Sequence, residues 1–500
     1  MCYNIERKKT MLDALKEAMN YTETENGAVT YKTTGSCLLD LFATVGALRH
    51  ASNAEIERRF IRAYSEDRLS ALKILFYARD IREGLGERRV FRVILSWLAK
   101  NEPEVVLKNL ELIAEYGRYD DLVVLLGTPC EDALIQLIRS GLERDLEAMR
   151  QGQSVSLLAK WLPSVNASRS DTVIAGKRIA RALGMSEREY RKALVSLRRH
   201  LQIIENNLRE RDYTFDYSAQ PSQAMLKYRA AFYRNDKDRY TEFLSKVTRG
   251  EVKLNASTVA PYQLVDPYLD FDGRLSAITE SEALTLNATW ESLTDFSTSG
   301  NNLAVIDTSS SMYYASSPKP ASVALSLGIY FAEHSKGAFA GHFIEFSDEP
   351  TLIHIKGDDF VSRLRYVSSF NRIANTNLEA VFDVILKAAV NGKVPEDQLP
   401  ERLILISDME FDECVGNGEL TNFESARLKF ERVGYKLPSV VFWNVCSRNE
   451  QQPVRMNDAG AVLVSGCTPR TFEMVAEGTL DPYAFMLEVL NSERYMPIAV

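Results

Sequence analysis

The sequence predicts an α plus α/β molecule in two parts: an α-helical, HEAT-like repeat domain over residues 1–294, then a Rossmann-like domain with a mostly parallel sheet over 295–500. Three observations predict it. Apolar residues recur at three and four from about residue 10 to 250, the period of amphipathic helices. After about 295, short β-rich runs alternate with helices, the pattern of a doubly wound sheet. The charge divides with the texture: residues 301–500 hold 17 basic against 26 acidic side chains, and the first 300 hold 43 against 42.

In the first half, the runs SALKILFYARDI, RRVFRVILSWLAK, PEVVLKNLELIAEYG and CEDALIQLIRSGLERDLEAM each carry one apolar face. In EYRKALVSLRRHLQIIENNL the residues Tyr190, Leu194, Leu197, Leu201, Ile204 and Leu208 step by 4, 3, 4, 3, 4, which predicts one continuous helix. Links as short as REGLGE and NEP imply antiparallel neighbours stacked as an α-solenoid, although no strict repeat period shows. The stretch TESEALTLNATWESLTDFSTSGNN is polar and reads as a linker at the domain border.

Beyond it, NLAVI is a strand and ASVALSLGIYFAEH a helix. AGHFIEFS and TLIHIK are strands joined by a turn at DEP, which makes TLIHIK an antiparallel edge. Helix NLEAVFDVILKAA, strands RLILIS, SVVFWNV and AVLVSG, and a last helix around DPYAFMLEVLNS complete the pattern. Strands apolar on both faces belong to a sheet covered on both sides.

At 500 residues and 45% hydrophobic content the chain can bury large cores. The opening MCYNIERKKTMLDALKEAMN is charged and helical where a signal peptide needs an apolar centre, and no window approaches a membrane span. The expectation is a soluble cytoplasmic protein that does not engage a membrane. The six cysteines form no CxxC pair and the five histidines no HExxH, which argues against a zinc or redox enzyme. GxxxxGK[ST] and GxSxG are both absent, which argues against phosphate-loop and serine-hydrolase chemistry. A net charge of −8 argues against nonspecific nucleic-acid binding, and nothing points to DNA specificity, yet residues 171–250 hold 17 basic against 10 acidic residues.

The segment AVIDTSSSMYYA leaves an apolar strand through Asp307 and four hydroxyl residues. That is either a turn, since Asp and Ser bond to nearby backbone, or part of a cage of hard oxygen ligands for a divalent cation. Asp408 follows strand RLILIS, and Thr376, in ANTNLEA, precedes a helix. In an open α/β sheet ligands bind outside the carboxyl ends of the strands. Asp307, Ser309, Ser311, Thr376 and Asp408 all fall at that edge, although Thr376 with Asn375 also fits a helix cap and Asp408 a turn.

DTSSSM, ANTNLEA and ISDME together resemble the metal-ion-dependent adhesion site (MIDAS) of von Willebrand factor A domains, with Ser310 where many members have Gly. The resemblance implies Asp307, Ser309 and Ser311 as the first ligand motif, Thr376 as the second and Asp408 as the third, around Mg²⁺, Mn²⁺ or Ca²⁺. It also implies a docking module, because a cation held this way attracts an acidic side chain from a protein partner. The first half resembles the TROVE module of the Ro autoantigen family, through RDIREGLGERRVF, EYGRYDDLVVLL, EYRKALVSLRRHLQIIE, KYRAAFYRNDKDRYTEFLSKVTRGE and VAPYQLV. The likeness is nearest to a bacterial and plant branch with this two-part layout. It implies a helical ring and binding of noncoding or single-stranded RNA, without catalysis.

Independently of that likeness, Arg191, Lys192, Arg198 and Arg199 are spaced by seven along a helix, followed by Lys227, Arg229, Arg234, Lys237 and Arg239 interleaved with Tyr228, Phe232, Tyr233 and Tyr240. Cations beside aromatics suit phosphate neutralisation and base stacking. A solvated helix face over core tyrosines fits the same pattern. The leading expectation is a noncatalytic RNA-binding scaffold of the Ro ribonucleoprotein type with a metal docking site. The alternative is a protein–protein adaptor that uses the metal site and never meets RNA.

Overall fold

The computed structural model describes residues 11, 15, 19–296, 300–314, 317–346, 349–370, 376–413, 420–470, 472, 475 and 480–500. Most of the opening twenty residues therefore lie outside the described part.

The helical half begins with Cys37–Thr44, Asn53–Glu66, Arg68–Arg79 and Arg88–Asn101, packed in succession. Their starts are set by side chains: Ser36, Ser52 and Asp67 each accept a hydrogen bond from the backbone three residues on. Glu131–Arg150 forms as expected, and Arg118-Tyr119-Asp120-Asp121 opens a 3₁₀ turn held by buried ion pairs, Arg79 Nη2 lying 2.8 Å from Asp121 Oδ2.

Two expected helices break. PEVVLKNLELIAEYG divides at Asn109 into Pro103–Lys108 and Leu110–Tyr116. The buried Asn109 amide ties the break to the C-terminal tail: its Nδ2 donates to the Ala499 carbonyl at 2.6 Å and to the Val105 carbonyl at 2.8 Å, and its Oδ1 accepts from Ala499 N at 3.0 Å. The continuous 4-3-4-3-4 face likewise ends early, in Glu187–His200 followed by Ile204–Glu210, because Gln202 turns left-handed at φ +47°. Asn206 then donates to the Arg198 carbonyl at 3.0 Å and closes the first helix. Tyr190, Leu194 and Leu197 are buried on one face as expected, while Leu201 and Leu208 are only half-buried beyond the break.

In the second half a six-stranded sheet runs in the order β5-β4-β3-β6-β7-β8, where β3 is Asn302–Asp307, β4 His342–Phe346, β5 Thr351–His354, β6 Arg402–Ser407, β7 Ser439–Asn444 and β8 Ala461–Ser465. All neighbours are parallel except β5 against β4, the antiparallel edge that the sequence predicts. Helices Pro320–His334, Leu378–Gly392 and Pro482–Leu490 match the sequence reading; Phe360–Ser368 and Asn422–Arg432 are additional, and the latter supplies the crossover that parallel β6 and β7 require.

The halves interlock. The polar segment read as a linker is instead the helix Glu280–Glu291, opened by a Thr279–Glu282 capping box, and its Trp290 stacks on Phe360 of the sheet half with ring centroids 4.0 Å apart. The hairpin of β1 (Tyr21–Glu23) and β2 (Val29–Tyr31) lies on the rim of the sheet, bridging at Gly27–Asp412 and Tyr31–Gln452. Gly46 packs directly on β8: a Cβ there would stand 2.7 Å from the Ser465 carbonyl oxygen. Gly46→Ala must therefore pry the halves apart, and a loss of about 1–3 kcal/mol is expected, read as a lowered Tm. An unchanged Tm would show that this seam yields freely.

Candidate metal centre and basic cavity

β3 and β6 pair in parallel register, so they end side by side, Asp307 closing one and Ser407 the other. The fit is direct: Ser407 Oγ donates to Asp307 Oδ2 at 2.6 Å. The other carboxylate oxygen, Oδ1, accepts from the Ser309 backbone at 2.8 Å, which turns the chain into the short 3₁₀ segment Ser310–Tyr313. That turn brings Ser309 Oγ and Ser311 Oγ to 3.1 Å, and the Ser311 hydroxyl hydrogen-bonds the Asp408 carboxylate. Asp307, Ser309, Ser311 and Asp408 thus form one connected group.

Thr376 is buried, and its carbonyl accepts from Asp412 N at 2.9 Å, on the same segment as Asp408. The following helix is capped by Asn377, whose Oδ1 accepts from Ala380 N at 3.0 Å, so the cap does not fall to Thr376. Asn375 lies outside the described residues.

Burial, and then the neighbouring charge of Asp408, push the Asp307 carboxyl up to about 7. Asp408 is raised by burial as well, opposed by the guanidinium of Arg448, whose Nη2 is 3.0 Å from Oδ2. Two buried carboxylates with the Ser309 and Ser311 hydroxyls beside them are hard oxygen donors of the kind Mg²⁺, Mn²⁺ or Ca²⁺ takes, and a dication would relieve the repulsion between them. The residues present fit such an ion.

Several neighbours escaped the sequence reading. Thr308 Oγ1 donates to the buried Glu345 at 2.8 Å, and the buried Tyr313 phenol is raised by burial and by the charges of Glu345 and Asp307. Glu345 did leave a signal, a lone carboxylate inside the apolar strand HFIEF. Arg448 left none.

Between the halves lies a cavity of about 1220 Å³. Among the described residues its wall includes Arg49, Arg79, Arg88, Arg118, Lys160, Arg191, Arg198, Arg199, Arg209, Lys227 and Arg470 against a single carboxylate, Glu205. Trp161, Tyr228, Tyr262, Phe296 and Tyr330 also face it. Of the nine basic residues singled out from the sequence, Arg191, Arg198, Arg199 and Lys227 line this cavity, while Lys192, Arg229, Arg234, Lys237 and Arg239 do not. Arg198 is committed to structure, donating to the Ala159 carbonyl, Ser164 Oγ and the Leu162 carbonyl at 2.7–2.8 Å. Arg229 bonds the Leu226 carbonyl and Arg239 the Phe215 carbonyl. Phe232 and Tyr240 are buried in an aromatic cluster with Tyr217, whereas Tyr228 and Tyr233 are half-buried and Tyr228 faces the cavity. Among the described residues, Lys160, Arg191 and Arg199 have no carboxylate at ion-pair distance.

The raised Asp307 carboxyl sets the sign of a pH effect. The folded chain keeps this proton where the unfolded chain has lost it, so the contribution is full below about pH 4 and disappears as pH rises through about 7. In chelator, Tm should fall across that window relative to Asp307→Asn, which has no such proton. Parallel pH profiles of the two proteins would refute the assignment.

Two family models match the chain: Domain of unknown function (DUF7788) over residues 301–482, and Domain of unknown function (DUF2828) over 24–140 and 132–301. Uncharacterized protein L728 of Acanthamoeba polyphaga mimivirus is 29% identical over 523 residues, covering 96% of this chain and 89% of that protein. The crystal structure of the RO (RSR) protein of Deinococcus radiodurans aligns at a TM-score of 0.47 and 11% identity, covering 93% of this chain and 99% of that one. The DUF2828 match spans the helical half and more than half of the whole sequence, and the chain belongs to that family.

Proposed function

We propose that the protein is a noncatalytic RNA-binding scaffold, with single-stranded RNA held in the basic cavity and a divalent cation at Asp307, Ser309, Ser311, Asp408 and Thr376 serving as a docking point for an acidic protein partner. The observation that carries the RNA reading is the wall of the cavity: among the described residues, eleven cationic side chains against one carboxylate, with five aromatic rings among them. Phosphates need the former and unstacked bases the latter. Paired arginines such as Arg79 and Arg118 contribute field, and Lys160, Arg191 and Arg199 are available for direct contact. The likeness of the first half to the TROVE module supports the same class of ligand.

The metal site supports docking rather than hydrolysis. Three of its five side chains are neutral hydroxyls, so a bound dication keeps positive charge for an incoming carboxylate, and no histidine stands among them to move a proton.

Titration of the protein with single-stranded RNA at two salt concentrations tests the first part. Affinity should fall steeply with salt, and Arg191→Ala with Arg199→Ala should lower the slope of log K against log salt by about two. Absence of binding at low salt would leave the adaptor reading in its place. For the second part, Mg²⁺ or Mn²⁺ should raise Tm, and Asp307→Ala should abolish that rise; a rise that survives the substitution removes the site.

A further inference from the structure

The rim of the sheet already carries a cation. Arg448 lies in the connection from β7 to β8, and its Nη2 stands 3.0 Å from Asp408 Oδ2 and 3.0 Å from Glu25 Oε2. The Asp408 side chain is 1% exposed, that of Arg448 35% and that of Glu25 47%. The guanidinium therefore reaches from solvent to a buried carboxylate, sandwiched between two acids from opposite ends of the chain.

Glu25 is held in place independently of Arg448. It sits in the turn between β1 and β2, where its backbone N–H donates to Glu410 Oε2 at 2.8 Å and Thr24 Oγ1 donates to the Phe411 carbonyl at 2.6 Å. Asn26 Nδ2 donates to the Glu410 carbonyl at 2.7 Å, and Asn449 Nδ2 lies 2.9 Å from both Glu25 Oε1 and Glu410 Oε1. Glu410 is two residues beyond Asp408, so the turn is fastened to the segment that carries the candidate ligand.

A dication taking Asp408 as a ligand must share it with that guanidinium. One carboxylate cannot neutralise both, and like charges a few ångströms apart repel strongly where water is excluded. We propose that Arg448 is a tethered counter-cation that competes with the divalent metal for Asp408, and that Glu25 sets the strength of the competition by drawing the guanidinium away from it. The inference rests on the metal reading of this site. It gives the two outer residues opposite effects: removing the Arg448 charge favours the metal, and removing the Glu25 charge leaves the guanidinium entirely on Asp408 and disfavours it. Neither residue belongs to the ligand set.

Calorimetric titration of the full chain with Mn²⁺ tests this. Arg448→Gln should tighten the dissociation constant by about tenfold or more, Arg448→Lys should stay near the parent, and Glu25→Gln should weaken binding several-fold, roughly the effect of one nearby charge. Glu25 is half-exposed, so its variant remains informative even if Arg448→Gln folds poorly. Binding in the parent with no change or a loss in Arg448→Gln, or no change in Glu25→Gln, overturns the competition and leaves the metal site standing. Binding in neither the parent nor Arg448→Gln overturns both, and binding that appears only in Arg448→Gln supports the competition most strongly.

Discussion

The parallel pairing of β3 with β6 is the constraint on which the candidate metal centre depends. Register matches Asn302 to Arg402 and runs on to Ile306 and Ile406, so the two strands end together. A slip of one residue would exchange the faces of the sheet and carry Asp307 away from Ser407. The register is protected because every residue of β3 is buried and helix Pro320–His334 packs against the strand. Burial thus does two things at once. It locks the strands, and it strips water from the carboxylates at their ends, which is why Asp307 holds its proton so tightly.

The helical half is tied to this frame along several seams, and the cavity between them takes its shape from those ties. Gly46 touches the end of β8, Trp290 stacks on Phe360, and the C-terminal tail returns to Asn109 and to Asp80, which Arg494 Nε meets at 2.8 Å. The wall is basic partly because the acids that satisfy its arginines stand behind them. Asp121, buried, takes Arg79 at 2.8 Å and Arg92 at 2.6 Å, and Glu87 takes Arg49 at 2.5 Å. Arg49 and Arg79 are therefore held in place before any ligand arrives, whereas Lys160, Arg191 and Arg199 must be ordered by it.

What could be read in the sequence was what breaks a pattern locally. Asp307 and Asp408 interrupt apolar strands, the strand–helix alternation gave the parallel sheet, and TLIHIK follows its partner too closely to be anything but antiparallel. The features that escaped are decided by partners far along the chain. Asn109, where one helix gives way to the next, is fastened to Ala499, and the segment after Thr279 is a helix whose apolar side meets Phe360. Arg198 and Arg191 look equivalent on a helical wheel, yet the first is consumed by carbonyls of the neighbouring segment 159–164 and the second faces the cavity. A count of basic residues records charge and not whether that charge is already spent. Arg448 is the extreme case, since its two carboxylates are 40 and 423 residues away.

A net charge of −8 and a cavity for polyanions are compatible because the sign of the whole matters less than where field lines converge. At distances beyond a Debye length the acidic second half is screened, and a ligand near the opening meets only what is close. Lys160, Arg191 and Arg199, which meet no carboxylate among the described residues, then act together on a concave wall whose described lining holds one carboxylate, Glu205. An acidic exterior adds selectivity: a flexible strand that can thread inward reaches the cations, whereas a stiff polyanion stays at the outer surface, where acids outnumber bases.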